Sequence, residues 1–141
     1  MKRTTTWKSP LIWGVVTVLI AAWLLWMTLR PQSQASADLT YLTAPAAAQG
    51  ISARFFIDFL GNIAVFVPLG ASLAFALAGR PVRLRLPGAT LIGAALSAAI
   101  ELIQQTLPSR FSSWEDWLLN TLGALIGALI ASFLIRKRYT N

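Results

Sequence analysis

The chain contains no cysteine and no histidine among its 141 residues. Their absence excludes disulfides, thiol nucleophiles, imidazole bases and the usual zinc ligands. Acidic side chains are also scarce, since Asp and Glu together number five. Any chemistry therefore depends on a few carboxylates, amides, hydroxyls and arginines.

Charged residues make up only 12% of the chain, against about 25% in ordinary soluble domains. Hydrophobic residues make up 56%, more than a soluble fold of this size could bury. Four apolar stretches, each long enough as a helix to cross a hydrocarbon core of about 30 Å, lie at 10–29, 55–78, 87–107 and 114–135. The sequence predicts an all-α integral membrane protein, a four-helix bundle.

The basic residues lie at the ends of the predicted helices rather than on one amphipathic face, which argues against a nucleic-acid partner. Three arginines fall on one predicted side, namely Arg30, Arg54 and Arg110. Nine Lys and Arg fall on the other side, in segments 2–8, 80–85 and 136–138. The positive-inside rule therefore predicts that both termini are cytoplasmic. The basic segment 79–88 is then a cytoplasmic loop that also contacts anionic lipid.

We divide the chain into three parts. Residues 1–54 form a membrane helix with an external loop, residues 55–135 a three-helix core, and residues 136–141 a basic cytoplasmic tail. The alternative for the first helix is a signal peptide cleaved at Ala35-Ser36-Ala37. We favour a retained helix, because its apolar run is longer than a usual signal core and ends well before this motif.

Polar side chains recur inside the apolar helices. Helix two carries Asp58 and Asn62, four residues apart and so on one α-helical face. Helix three carries Glu101, followed one turn later by Gln104. A carboxylate within a membrane helix is costly and marks a functional-site hypothesis. A kink is expected at Pro68, which cannot donate a backbone hydrogen bond.

Helix four repeats this pattern after Ser112 and Ser113, which are suited to cap it, and Glu115 is explained by capping and dipole chemistry. Asp116, Asn120, Gly123 and Gly127 lie along one face, and the two glycines form a GxxxG pair. Segments 58–62 and 116–120 resemble each other, DFLGN against DWLLN. Helices two and four would run in the same direction, so the bundle is interpreted as two repeated helical hairpins.

The polar residues of helices two, three and four are predicted to lie at a similar depth in the membrane. With a rise of 1.5 Å per residue, Asn62, Glu101 and Asn120 all lie about 10 Å below the outer surface. Arg54 and Arg110 lie above them. We therefore predict a polar pocket that opens to the outer leaflet.

The polar residues and their spacing resemble the VanZ-like family over residues 56–130. The resemblance is carried by Gly61, Asn62, Phe66, Pro68, Leu69, Gly70, Glu101, Gln104, Arg110, Asp116, Asn120, Gly123 and Gly127. It implies a small bacterial membrane protein, in a family named for a glycopeptide-resistance component that lowers susceptibility to teicoplanin. The site residues that it implies are Asn62, Glu101, Gln104, Arg110, Asp116 and Asn120.

The resulting functional hypothesis is binding or modification of an envelope lipid, or of a lipid-linked precursor, at the outer leaflet of the bacterial plasma membrane. Arg110 and Arg54 would hold a phosphate or carboxylate head group. Glu101 and Asp116 would act as the catalytic acid and base if a reaction occurs. The remaining ligand-binding candidates are Asn62, Gln104, Asn120 and Asp58. Whether the protein is an enzyme is left open.

No cofactor is required by the sequence. In one variant of the hypothesis, Asp58, Glu101 and Asp116 bind Mg²⁺ with the neighbouring amides, because Mg²⁺ prefers oxygen ligands.

Two other functions are compatible with the same polar residues. A non-enzymatic accessory protein would use the polar residues only to hold the bundle and would bind another membrane protein through its surface. A proton or solute carrier is less well supported, since no intramembrane carboxylate is predicted in the inner half.

Overall fold

A computed structural model describes residues 9–30, 56–107 and 113–140, and for residues 56–58 and 138–140 only the backbone is considered. Helix α1 spans Pro10–Thr28. A π-helical turn, Phe56–Gly61, leads directly into α2, Asn62–Ala76. Helices α3 and α4 span Val82–Gln104 and Trp114–Thr140. The described residues contain no strand, so the predicted all-α bundle is confirmed.

All four helices are long and apolar enough to cross a membrane. The qualifying segments contain 18 to 24 residues, which corresponds to about 27–36 Å of α-helix. Large apolar side chains cover the outside of the bundle, among them Leu11, Leu91 and Phe133, each about two-thirds exposed or more. An apolar exterior is the surface that lipid requires, and the chain is a multi-pass membrane protein.

Helix α1 runs antiparallel to α2. Near the start of α1, the Trp13 ring stacks on Phe75, with centroids 4.4 Å apart. One turn later, the Thr17 hydroxyl donates to Ser72 Oγ at 3.0 Å. The first residues of α1 therefore lie beside the end of α2. We call this the basic end of the bundle, formed by the start of α1, residues 77–85 and the last turns of α4; the opposite end is the polar end.

Helices α2 and α4 run parallel and share the largest interface of the bundle. Glycines bring the two backbones into contact. A Cβ added to Gly127 would overlap the Val67 carbonyl oxygen and lie 2.8 Å from the Ala71 nitrogen. A Cβ added to Gly70 would overlap the Ala124 carbonyl oxygen. The GxxxG pair of α4 is therefore half of a two-sided contact, in which α2 contributes its own glycine.

The start of α3 differs from the sequence prediction. The sequence predicts that the helix begins at Pro87, but it begins at Val82, directly after Pro81. Pro81 adopts φ −62° and ψ 150° at the N-cap, so it starts the helix in place of Pro87. Pro87 is accommodated within the helix near its beginning. The predicted loop 79–88 is therefore largely helical, and Arg83 and Arg85 belong to α3.

The start of helix two also differs. The α-helical spacing of Asp58 and Asn62 does not apply, because Phe56–Gly61 is a π-helical turn with a different number of residues per turn. Beyond it, α2 continues unbroken past Pro68. The Ala35-Ser36-Ala37 motif lies outside the described residues.

Substitution Gly127→Ala is expected to destabilise the bundle by about 1–3 kcal/mol, because the new methyl group meets backbone atoms of α2 that cannot move aside. Gly14→Ala in α1 is the control, since nothing lies within 4 Å of its Cβ position. Unfolding by SDS titration in mixed micelles measures both variants. Equal unfolding midpoints for Gly127→Ala and wild type would contradict the close α2–α4 contact.

Candidate functional site

At the polar end, α2 is joined to α4 by a side-chain hydrogen bond. The Asn62 amide donates to Asp116 Oδ1 at 2.7 Å. Both residues occupy the first turn of their helices, which run parallel, so the pair lies at the same level of the bundle. The depth count predicts a common level for Asn62, Glu101 and Asn120, with Asp116 one turn above them, whereas the structure bonds Asn62 to Asp116.

Glu101 joins the last turn of α3 to the beginning of α4. Its side chain is 8% exposed, and its Oε2 accepts the Ser113 backbone N–H at 2.9 Å. Ser113 Oγ in turn accepts the Glu115 N–H at 3.1 Å, as an N-cap does. A carboxylate near the first N–H groups of a helix is favourable, since those groups carry the positive end of the helix dipole. Glu101 therefore stabilises the entry into α4.

Asn120 lies one turn deeper than Asp116 and faces α3. Its side chain is 5% exposed, and its Nδ2 donates to Ser97 Oγ at 2.9 Å. Its Oδ1 is buried and has no hydrogen-bond donor among the described residues. Because buried polar atoms are almost always bonded, this acceptor is the unusual atom of the cluster.

Helix α1 is also bonded to this end. The buried Gln104 amide donates to the Thr28 carbonyl oxygen at 3.1 Å. Trp117 of α4 adds a further bond to α3, from its indole N–H to the Ala94 carbonyl oxygen at 3.0 Å. Side-chain hydrogen bonds thus connect all four helices at the polar end.

The structure brings together most of the predicted set. Asn62, Glu101, Gln104, Asp116 and Asn120 all take part in the bonds just described. Arg54, Arg110 and the side chain of Asp58 lie outside the described residues. No three acidic, His or Cys side chains that could hold a metal come together within the described part of the chain. A Mg²⁺ site that includes Asp58 therefore stays a prediction.

The predicted pocket also stays a prediction. Two cavities are formed by the described residues away from the polar end, one along α1 and one at the basic end. The cavity at the basic end is lined in part by Arg80, Arg85, Ser132 and Arg136.

The sequence indicates the polar residues of the cluster, but not the residues with which they form hydrogen bonds. Ser97, whose hydroxyl accepts the Asn120 amide N–H, is not among the predicted site residues. At the basic end, the sequence predicts a loop around Arg85, whereas Arg85 lies on α3, is 6% exposed and donates from Nε to Ser132 Oγ at 3.3 Å. Sequence spacing could have indicated the pairing of Arg85 with Ser132. Ser132 lies twelve residues after Asn120, and Arg85 lies twelve residues before Ser97. In antiparallel helices this equal spacing places the two pairs opposite each other.

These features define a class: a four-helix membrane protein with a buried polar cluster that joins its helices at one end. The sequence model VanZ-LLP1, described as VanZ/LLP1, matches residues 15–136, and the chain belongs to this family. The match begins within α1 and so extends beyond the residues on which the resemblance was recognised. A search of curated proteins and a search of solved structures each returned no match.

Substitution Ser97→Ala is expected to destabilise the bundle by about 1 kcal/mol, because the buried Asn120 amide loses its acceptor. Thr90→Val is the control, since the Thr90 hydroxyl bonds only the Leu86 carbonyl of its own helix. The midpoint of SDS-induced unfolding measures the effect. If both variants unfold at the same point as wild type, the Ser97–Asn120 bond adds no stability.

Proposed function

We propose that the polar end binds the head group of an envelope lipid, or of a lipid-linked precursor, and thereby changes glycopeptide susceptibility. The main support for this proposal is Asn120 Oδ1, a buried acceptor that receives no hydrogen bond from the residues that the structure describes. A hydroxyl or amide N–H of a head group would supply that donor. Family membership supports a VanZ-like role, and teicoplanin is the glycopeptide to test.

The charge distribution supports an extracytoplasmic position for this end in a bacterial plasma membrane. Among the described side chains, the polar end carries one arginine, Arg30, whereas the basic end carries Arg80, Arg83, Arg85, Arg136 and Lys137. By the positive-inside rule, this distribution favours a cytoplasmic basic end. The polar end then faces the compartment in which glycopeptides meet their targets.

The two carboxylates would have different parts in binding. Glu101 is buried at the junction of α3 and α4, whereas Asp116 is partly exposed. A partly exposed carboxylate accepts a hydroxyl or ammonium group of a ligand without disrupting the fold. Arg110 and Arg54, in the segments next to these helix ends, are proposed to hold the phosphate. If the bound lipid is also modified, Glu101 and Asp116 are the candidate acid and base.

One set of contacts favours a second function. The Asn62–Asp116 and Glu101–Ser113 bonds each join different elements of the bundle. A protein that uses them only for stability would serve as an accessory to another membrane protein. The two functions differ in whether the negative charge of Glu101 matters beyond its ability to accept the Ser113 N–H.

The substitution Glu101→Gln distinguishes head-group binding from the accessory function, because the glutamine oxygen still accepts the Ser113 N–H while the charge is lost. Asp116→Asn does the same for the bond from Asn62. Glu115→Gln is the matched control, since Glu115 is an exposed carboxylate beside Asp116. Teicoplanin susceptibility is compared in bacteria that contain each variant at equal membrane abundance. We expect Glu101→Gln and Asp116→Asn to lose most of the wild-type effect, and Glu115→Gln to retain it.

Lipids that copurify with each variant are identified by mass spectrometry. Loss of a bound lipid in Glu101→Gln, with unchanged folding, supports head-group binding. A chemically altered lipid in wild-type cells would add catalysis. If Glu101→Gln keeps both the bound lipids and the teicoplanin effect, the ligand site is refuted and the accessory function is favoured.

A further inference from the structure

The basic end contains a buried guanidinium with neutral partners. Arg85 Nε donates to the Ser132 hydroxyl, and its Nη1 donates to the Ala78 carbonyl oxygen at 3.4 Å. No ion pair joins Arg85 to any carboxylate within residues 9–30, 56–107 and 113–140. The acidic side chains that the structure describes, Glu101, Glu115 and Asp116, all belong to the polar end.

A buried charge is normally balanced by an opposite charge. Two neutral acceptors leave the cost of burying Arg85 only partly offset, and a guanidinium has five N–H donors to satisfy. An anion beside the Arg85 guanidinium would offset the rest of this cost.

A cavity suited to that anion lies against Arg85. It has a volume of about 640 Å³, within the usual range for ligand sites. Arg80 and Arg136 also line it, one from the turn before α3 and one from α4. Three arginines from three parts of the chain thus line one space.

The beginning of α3 adds to this positive field. Its N-cap is Pro81, which makes no side-chain capping bond, and its first turn contains no acidic residue. The N–H groups of Val82 and Arg83 have no acceptor in the described part of the chain. Val82 lines the cavity, so the positive end of the helix dipole lies beside it.

The wall beside the arginines is apolar. Leu129 and Phe133 of α4 line the same cavity, are separated by one helical turn, and are 47% and 67% exposed. An anion that only needed charge would not benefit from this surface. An acyl chain would, because it could lie along α4 while the head group meets the arginines.

We propose that this cavity, the Arg85 site, binds the phosphate of an anionic phospholipid. Arginine suits this role, because its planar fork bonds two phosphate oxygens at once. Arg85 lies twelve residues from Ser97, about 18 Å along α3. The Arg85 site is therefore separate from the polar end, and it stands or fails independently of the function proposed there.

The test uses the full-length protein, delipidated in detergent. Phosphatidylglycerol is titrated against it, with phosphatidylcholine and inorganic phosphate as parallel probes, and binding is read by native mass spectrometry. Wild type is expected to bind phosphatidylglycerol more tightly than phosphatidylcholine and to show no displacement by inorganic phosphate. Arg85→Gln is expected to weaken phosphatidylglycerol binding by about tenfold. Arg85→Lys is expected to restore only part of it, because an ammonium lacks the fork.

Because Arg85 is buried, Arg85→Gln risks misfolding, and a second pair of variants avoids this. Arg80→Gln combined with Arg136→Gln removes two exposed charges that line the cavity. Arg83→Gln combined with Lys137→Gln removes two exposed charges on neighbouring residues that do not line it. We expect weaker binding of phosphatidylglycerol only in the first double variant.

Equal loss in both double variants would show a general charge effect and overturn the Arg85 site. Binding of inorganic phosphate that displaces phosphatidylglycerol would overturn the lipid as its ligand. Unchanged binding in Arg85→Gln and in the first double variant would refute the proposal altogether.

Discussion

The contact between α2 and α4 determines where every other part of the bundle lies. Glycine on both helices brings backbone against backbone, as Gly127 does against Val67 and Gly70 against Ala124. Such contact fixes the register of the two helices, because no side chain can be inserted between them. Asn62 meets Asp116 only in that register. The polar cluster is thus a consequence of close packing, and it could not form if the helices stood one side chain further apart.

Hydrogen bonds then fix the remaining helices to this pair. Ser97 and Glu101 bond α3 to α4, and Gln104 reaches the end of α1. Each bond contributes little by itself in a membrane, but every partner comes from a different element. The same residues therefore serve stability, whatever they bind. A site built from stabilising bonds is rigid, and rigidity is useful for holding a head group, because less freedom is lost on binding.

The sequence was sufficient for the helices and for the level at which their polar residues meet. Both follow from length and rise alone, and the common level is correct to within about one helical turn, since Asn62 lies level with Asp116 and Asn120 one turn deeper. The sequence did not predict local structure correctly where two residues could each begin a helix, or where two kinds of helix fit the same apolar pattern. Pro87 looked like the first residue of α3, but Pro81 fulfils that role, and the change moves Arg85 from a loop onto a packed helix. The π-helical turn was also missed, since apolar periodicity over six residues cannot distinguish it from an α-helix. Pairings such as Asn120 with Ser97 depend on helix rotation, which a single sequence does not determine.

The order of helices in space differs from their order in the chain, since α2 packs most extensively on α4 while α3 connects the two. During synthesis, α2 enters the membrane before its main partner exists. Until α4 is made, the glycine surface of α2 and the Asn62 amide are in contact with lipid or are covered temporarily by α1 and α3. Helix α4 therefore completes the close contact with α2, and a ribosome that stops before residue 114 leaves a chain whose α2 glycine surface has no α4 to cover it.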